Sequence, residues 1–133
     1  KMGFSLHRFI TLVSIVEKES AHSADIAKIS SVYHNRLKQK MLLQSDATIT
    51  YITRRPDASP TIDETKAESA YNTYLYQGLP PGPVGNPGLG AISATLNPDQ
   101  TDYLFFVSDQ KDGKSYFAKT YDEHLNNIEK YLR

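Results

Sequence analysis

The 133-residue chain has no cysteine, no tryptophan, only two methionines and no net charge, its 15 basic residues being matched by 15 acidic ones. Without cysteine there is no disulfide, no thiolate metal site and no cysteine nucleophile; the composition suits an oxidising compartment without requiring one. Balanced charge provides no broad basic surface for nucleic acid or anionic lipid, so the expected substrate is neutral or weakly charged. No apolar run reaches the length of a membrane span, and no signal-peptide pattern is visible. The abrupt start at Lys1-Met2-Gly3 reads as that of an excised fragment, with any anchor expected outside it. His7, His22, His34 and His124 have no partners at zinc-ligand spacing, and neither a His-Glu-x-x-His nor a Gly-x-Ser-x-Gly pattern occurs. No metal and no cofactor are expected.

What is present is organised around the run from Phe9 to Ser20, apolar on most of its circumference and ending in Glu17-Lys18-Glu19. Ser5 can cap a helix that is then buried in the middle of the domain. At about 100° per residue, Thr11, Ser14 and Lys18 form one polar stripe, expected to look outward, and Glu17 and Glu19 lie roughly 200° apart. The two carboxylates cannot flank one bond together. A carboxyl group closing a buried helix is placed to have a raised pKa and to act as a general acid, whereas a solvated last turn is the commoner meaning of such a charge run.

The rest of the chain predicts an α+β fold: a central buried helix, surrounding helices, a small antiparallel hairpin and long proline-rich loops lining a groove, in a single domain over residues 1–133. Ser23 can cap a second helix carrying Ile26, Ile29, Val32, Tyr33 and Leu37. Residues 41–51 are compatible with an extended segment or with a short helix capped by Ser45 or Asp46. A polar loop through Arg54-Arg55-Pro56-Asp57 and a short helix or turn from Pro60 to Glu68 follow. The prolines between Gly78 and Gly88 predict a rigid loop packed on the domain, with Leu79, Val84 and Leu89 as its apolar anchors. Gly90–Asn97 reads as a short helix and Tyr103–Ser108 as a strand covered on both faces, with Ser115–Ala118 as its hairpin partner. A final helix from Tyr121 to Leu132 has Thr120 as cap and Glu123 at the capping-box position.

The chemistry left is one acid, Glu19, with amide, hydroxyl and phenol groups on loops: Asn35, Gln44, Ser45, Asp46, Tyr71, Asn72 and Thr73. Neutral donors and acceptors beside aromatic faces are the usual means of holding a polyhydroxylated ligand, and a carboxylic acid can protonate a glycosidic oxygen. Most glycoside hydrolases add a second carboxylate across the bond, for which Asp46 is the one candidate.

The segments Ile15–Ser20, Asn35-Arg36-Leu37, Met41–Asp46, Tyr71–Tyr74 with Gly78–Pro83 and Asn86-Pro87-Gly88, and Tyr103–Val107, in that order, resemble the endolytic murein transglycosylases of bacteria, the YceG-like family. The resemblance runs from about residue 9 to the end. It implies a lytic transglycosylase in which the Glu matching Glu19 protonates the oxygen between N-acetylmuramic acid and N-acetylglucosamine. The muramic acid 6-hydroxyl then closes on its own C1 to give a 1,6-anhydro end without water. It also implies peptidoglycan strands as partner, with cell-wall synthesis proteins as further candidates. The implied location is the extracytoplasmic face of the inner membrane, held by an anchor outside this chain. Asp25-Ile26, Ala47 and Ser115 stand where the family commonly has Glu-Arg, Pro and His. A hydrolytic muramidase using Asp46 and a non-catalytic glycan-binding module are the competing readings.

Overall fold

The computed structural model describes residues 3–20, 24–55, 59–109 and 111–132. Among the described residues, five α-helices and one hairpin follow in the order α1 (Leu6–Glu19), α2 (Ile26–Lys38), α3 (Asp46–Thr53), α4 (Leu89–Leu96), β1 (Phe105–Ser108), β2 (Ser115–Ala118) and α5 (Tyr121–Tyr131), with a 3₁₀ turn at Glu64–Lys66 between α3 and α4. The proposed cap Ser23, and Pro56-Asp57 of the polar loop, lie outside the described residues.

Helix α1 starts where Ser5 Oγ accepts the Arg8 N–H at 3.2 Å, and its next turns supply the centre of the core. Leu12, Val13, Ile15 and Val16 are wholly buried against Ile29 and Tyr33 of α2, Leu43, Ala47 of α3 and Ala91 of α4. Burial of each such side chain contributes roughly 1.5–3 kcal/mol, which explains why three helices collect around this one.

Of the polar stripe of α1, Lys18 is exposed as expected, but Thr11 and Ser14 are not. Both are buried, Ser14 beneath the loop from Gly78 to Gly88, which lies along α1 as a strap. Thr11 Oγ1 donates to His7 O at 2.8 Å; Ser14 Oγ donates to Thr11 O at 2.7 Å and accepts the Val84 N–H at 3.0 Å. The strap is also held by His7 Nε2 on Pro81 O at 2.5 Å. Its glycines permit close approach: a methyl built on Gly85 would strike the stem of Lys18, and one on Gly88 the carboxylate of Glu17. Val84 anchors the strap in the core and Leu79 packs beside it, but Leu89 is 86% exposed, so the third expected anchor is absent.

Residues 41–45 belong to no helix or strand, with Gln44 at φ 49°, and 46–53 are helical with Ser45 at the N-cap position, so the short-helix reading holds for the second part of that stretch. Strands β1 and β2 pair antiparallel with Phe105 opposite Ala118 and Ser108 opposite Ser115. All four residues of β1 are only half-buried, not covered as expected, because this strand forms one wall of a cleft. The capping box of α5 forms as the spacing predicts, with Thr120 Oγ1 accepting the Glu123 N–H and the Glu123 carboxylate accepting the Thr120 N–H. Tyr131 of α5 stacks on Tyr116 of β2 at 3.8 Å between centroids.

Candidate active site

Glu19 is the last residue of α1, and its side chain meets the first turn of α3. Ser45 occupies the N-cap position of α3, yet its hydroxyl does not cap its own helix. It donates instead to Glu19 Oε2 at 2.6 Å, and the Ala47 N–H donates to the same oxygen at 3.0 Å. Glu19 thus supplies from another helix the acceptor that a helix N-terminus requires.

The chain around Ser45 is set by Thr73, whose Oγ1 accepts the Ser45 N–H at 2.9 Å and pairs with Thr48 Oγ1 at 2.9 Å. Gln44, with φ of 49°, donates its N–H to Thr73 O at 3.2 Å and leaves its side chain exposed. Asn72 is wholly buried: its Nδ2 donates to Thr65 O and Ala67 O, and its Oδ1 accepts the Tyr74 N–H at 2.8 Å. This folds the segment so that Tyr74 Oη donates to Asp46 Oδ1 at 2.6 Å.

Glu19 opens into a cleft of about 450 Å³ whose walls include Arg36, Gln44, Asp46, Tyr74, Phe105 and His124. Tyr33 lies at its base, set edge-on to Phe106. Arg36 holds the far wall, with Nε on Leu104 O and Nη1 on Leu42 O, both at 2.7 Å, and its guanidinium lies over the Phe105 ring. The His124 ring stacks on Phe105, and its Nδ1 is buried without a partner among the described residues.

Burial is the largest influence on Glu19 and raises its pKa. Hydrogen bonds from Ser45, Ala47 and Asp46 N–H oppose the shift by favouring the carboxylate, and the neighbouring Asp46 charge adds to it. The net direction is upward, toward a carboxyl that holds its proton at higher pH than usual. Burial, then the Glu19 charge, push the Tyr33 phenol well up, and Tyr74 also rises through burial and its bond to Asp46. His124 is lowered by burial and by Arg36.

Of the residues expected at the site, the fold brings Glu19, Gln44, Ser45 and Asp46 together. Thr73 and Asn72 stand behind them with their polar groups committed to the framework, so Asn72 offers no amide to the cleft. Asn35 is elsewhere: its Nδ2 donates to Thr101 O and Tyr103 O, both at 2.9 Å, and ties α2 to the segment before β1. Tyr71 lines a neighbouring pocket instead of the cleft. Arg36 gives both its described hydrogen bonds to backbone carbonyls and does not pair with Glu17. Tyr33, Arg36, Phe105 and His124 also line the cleft; as a helix-stripe aromatic, a turn-proximal cation, a strand aromatic and a lone histidine they have no chemical pattern that marks them for a site, although Arg36 and Phe105 fall within the segments that resemble the family.

These features define an α+β domain with one pKa-raised carboxylic acid opening on an aromatic-walled cleft. The YceG-like family model matches residues 1–130, and the chain belongs to that family. It is 41% identical over 132 residues to the endolytic murein transglycosylase of Bacillus subtilis strain 168, covering 99% of this chain and 36% of that protein. The endolytic murein transglycosylase of Streptococcus pneumoniae serotype 2 strain D39 is 35% identical over 135 residues, covering 98% of this chain and 24% of that protein. The crystal structure of a YceG-like protein from Listeria monocytogenes superposes with a TM-score of 0.88 at 42% identity, covering 92% of this chain and 40% of that one. The chain therefore spans about a quarter to two-fifths of the length of these relatives.

Proposed function

We propose that this chain is the catalytic domain of an endolytic lytic transglycosylase acting on murein, cleaving the β-1,4 bond between N-acetylmuramic acid and N-acetylglucosamine. The observation that carries the reading is the Glu19 carboxyl, raised in pKa by burial and open to the cleft. Protonated Glu19 gives its proton to the glycosidic oxygen as the C1–O bond of the muramic acid breaks. The Ser45 hydroxyl and Ala47 N–H, both on Oε2, stabilise the carboxylate left behind. That carboxylate takes the proton of the muramic acid 6-hydroxyl while O6 bonds to C1, which restores the acid and leaves a 1,6-anhydro end. Water is not consumed, and no metal or cofactor is invoked.

In this reading Gln44 and Asp46 contact the sugars, Ser45 orients the acid, and Thr73 and Asn72 position the loop that carries it. The aromatic walls exclude water from the reacting carbon and strengthen the electrostatics there. The likeness to endolytic murein transglycosylases supports murein as substrate, and hence action outside the cytoplasm. In this reading an anchor holds the whole protein at the outer face of the inner membrane; among the described residues of this chain no helix is long and apolar enough to cross a membrane. Contacts with cell-wall synthesis proteins belong to the same proposal.

One observation favours a second reading. Asp46 borders the same cleft and is held by Tyr74, as a water-activating carboxylate of a muramidase would be. Mass analysis of the products formed by the full-length protein on purified glycan strands separates the two. Ends lighter by one water support the transglycosylase, reducing ends alone support the muramidase, and no cleavage overturns both in favour of a glycan-binding module.

A further inference from the structure

The C-terminal end of α3 borders a second hollow, of about 530 Å³, lined by Lys18, Thr50, Tyr51, Arg54, Tyr71 and Val84 among others. Both of its cations are exposed, and neither pairs with a carboxylate among the described residues, where the ion pairs are Arg55–Glu64 and Lys119–Asp102. Lys18 reaches the hollow by laying its stem across Gly85 of the strap. Arg54 closes α3 at φ 59°, a left-handed position that glycine or asparagine ordinarily fills. An arginine there meets a backbone cost that no described ion pair offsets. Tyr51 and Tyr71 pack ring against ring, 5.0 Å between centroids and 33° from parallel, and make one aromatic wall of the hollow. Two free cations over such a wall suit a carboxylate attached to a short peptide.

The placement relates this hollow to the acid. Asp46 opens α3 beside the cleft and Arg54 follows its last residue beside the hollow, so the two stand at opposite ends of one short helix. Eight residues at the helical rise separate them by about 12 Å. An extended peptide advances roughly 3.4 Å per residue, so three to four residues cover the distance. Muramic acid, the sugar whose C1 reacts in the reading above, carries a peptide on its lactyl group, and that peptide bears carboxylates.

We propose that Lys18 and Arg54, with the Tyr51–Tyr71 wall, form a binding site for a carboxylate of the stem peptide on the murein strand being cut. The inference rests on the murein reading and adds peptide recognition to it. The site makes the enzyme selective for peptide-bearing strands over stripped ones.

The test assays the full-length protein on uncross-linked strands carrying their peptides and on the same strands stripped by an amidase. The wild type is expected to show about a tenfold lower KM for peptide-bearing strands. Arg54→Gly, which the left-handed backbone favours and which therefore keeps the fold, combined with Lys18→Gln, is expected to bring that ratio close to one. Equal KM values for the wild type, or a double variant that keeps the ratio, overturn the proposal. Should neither strand be cleaved, the activity reading fails, and titration with N-acetylmuramyl pentapeptide then decides the pocket. Heat of binding that disappears in the double variant sustains it; no binding, or binding unchanged by the substitutions, overturns it. A double variant that keeps its strand ratio but releases phosphatidylglycerol vesicles also overturns it, assigning the two cations to a lipid surface.

Discussion

The two carboxylates of α1's last turns leave on opposite flanks, and each arrives at the start of a later helix. Glu19 meets the first turn of α3, and Glu17 meets Gly88, the residue before α4. Glu19 takes the Ala47 N–H there, at the positive end of the α3 dipole. The difference lies in what surrounds the contact: Glu17 is laid against the proline-rich strap, whereas Glu19 opens on a cleft with Tyr33, Tyr74 and Phe105 around it. A helix N-terminus alone favours an ionised, structural carboxylate. Burial beside an open cleft opposes that preference, and the balance of the two yields a proton donor whose conjugate base is already provided with donors.

Glu19→Gln should separate the two flanks most sharply. The amide oxygen can still accept from Ser45 and Ala47, so the fold is expected to survive while turnover falls by two or more orders of magnitude, the scale of a general-acid contribution. The same variant tests the electrostatics. A carboxyl whose pKa is raised on folding stabilises the protein fully below its ordinary value of 4.5 and less as pH rises through the raised value. Melting curves across that range should therefore show the Gln variant gaining on the wild type as pH increases, and a constant difference would mean that Glu19 titrates normally.

Ser45→Ala removes a hydrogen bond that favours the ionised form. The alkaline limb of the pH–rate profile should move to higher pH, and turnover should fall about tenfold, the order of one charge-assisted bond. An unshifted limb would detach Ser45 from the acid. Tyr74→Phe releases Asp46 and is expected to raise KM for glycan by about threefold, within the range of a single neutral hydrogen bond. If turnover collapsed instead while the variant stayed folded, Asp46 would be the chemical partner that a muramidase needs.

The smallest effect on catalysis is expected from Glu17→Gln. Losing a charge near the start of α4 should cost about 0.3–1 kcal/mol of stability, seen as a lower Tm, with turnover within about twofold of the wild type. A folded, inactive Glu17→Gln protein beside a folded, active Glu19→Gln one would reverse the assignment of the acid.

The parts legible in the residues are those with local causes. The α5 capping box needs only Thr120 and Glu123 three residues apart, and the hairpin needs only two apolar runs and a turn. The apolar face of α1 named the core, and its 3.6-residue period separated Glu17 from Glu19. Residues with more than one use were harder to place. Asn35 and Asn72 are equally good ligands for a sugar and for backbone carbonyls, and the fold gives both to carbonyls. Ser14 reads as solvated in the sequence because its cover comes from Val84, 70 residues along the chain.

By itself the sequence determined that a buried helix ends in two carboxylates on different flanks, since helical geometry requires nothing beyond the spacing of Glu17 and Glu19. It also determined family membership, through an ordered series of short motifs. Only the tertiary structure decided which flank opens on a cleft, which helix start each carboxylate meets, and that Tyr33, Arg36 and His124 line the same cleft. Those are products of long-range packing: the pKa of Glu19 depends on groups from α3 that lie 26 and more residues away, and no local pattern encodes that proximity.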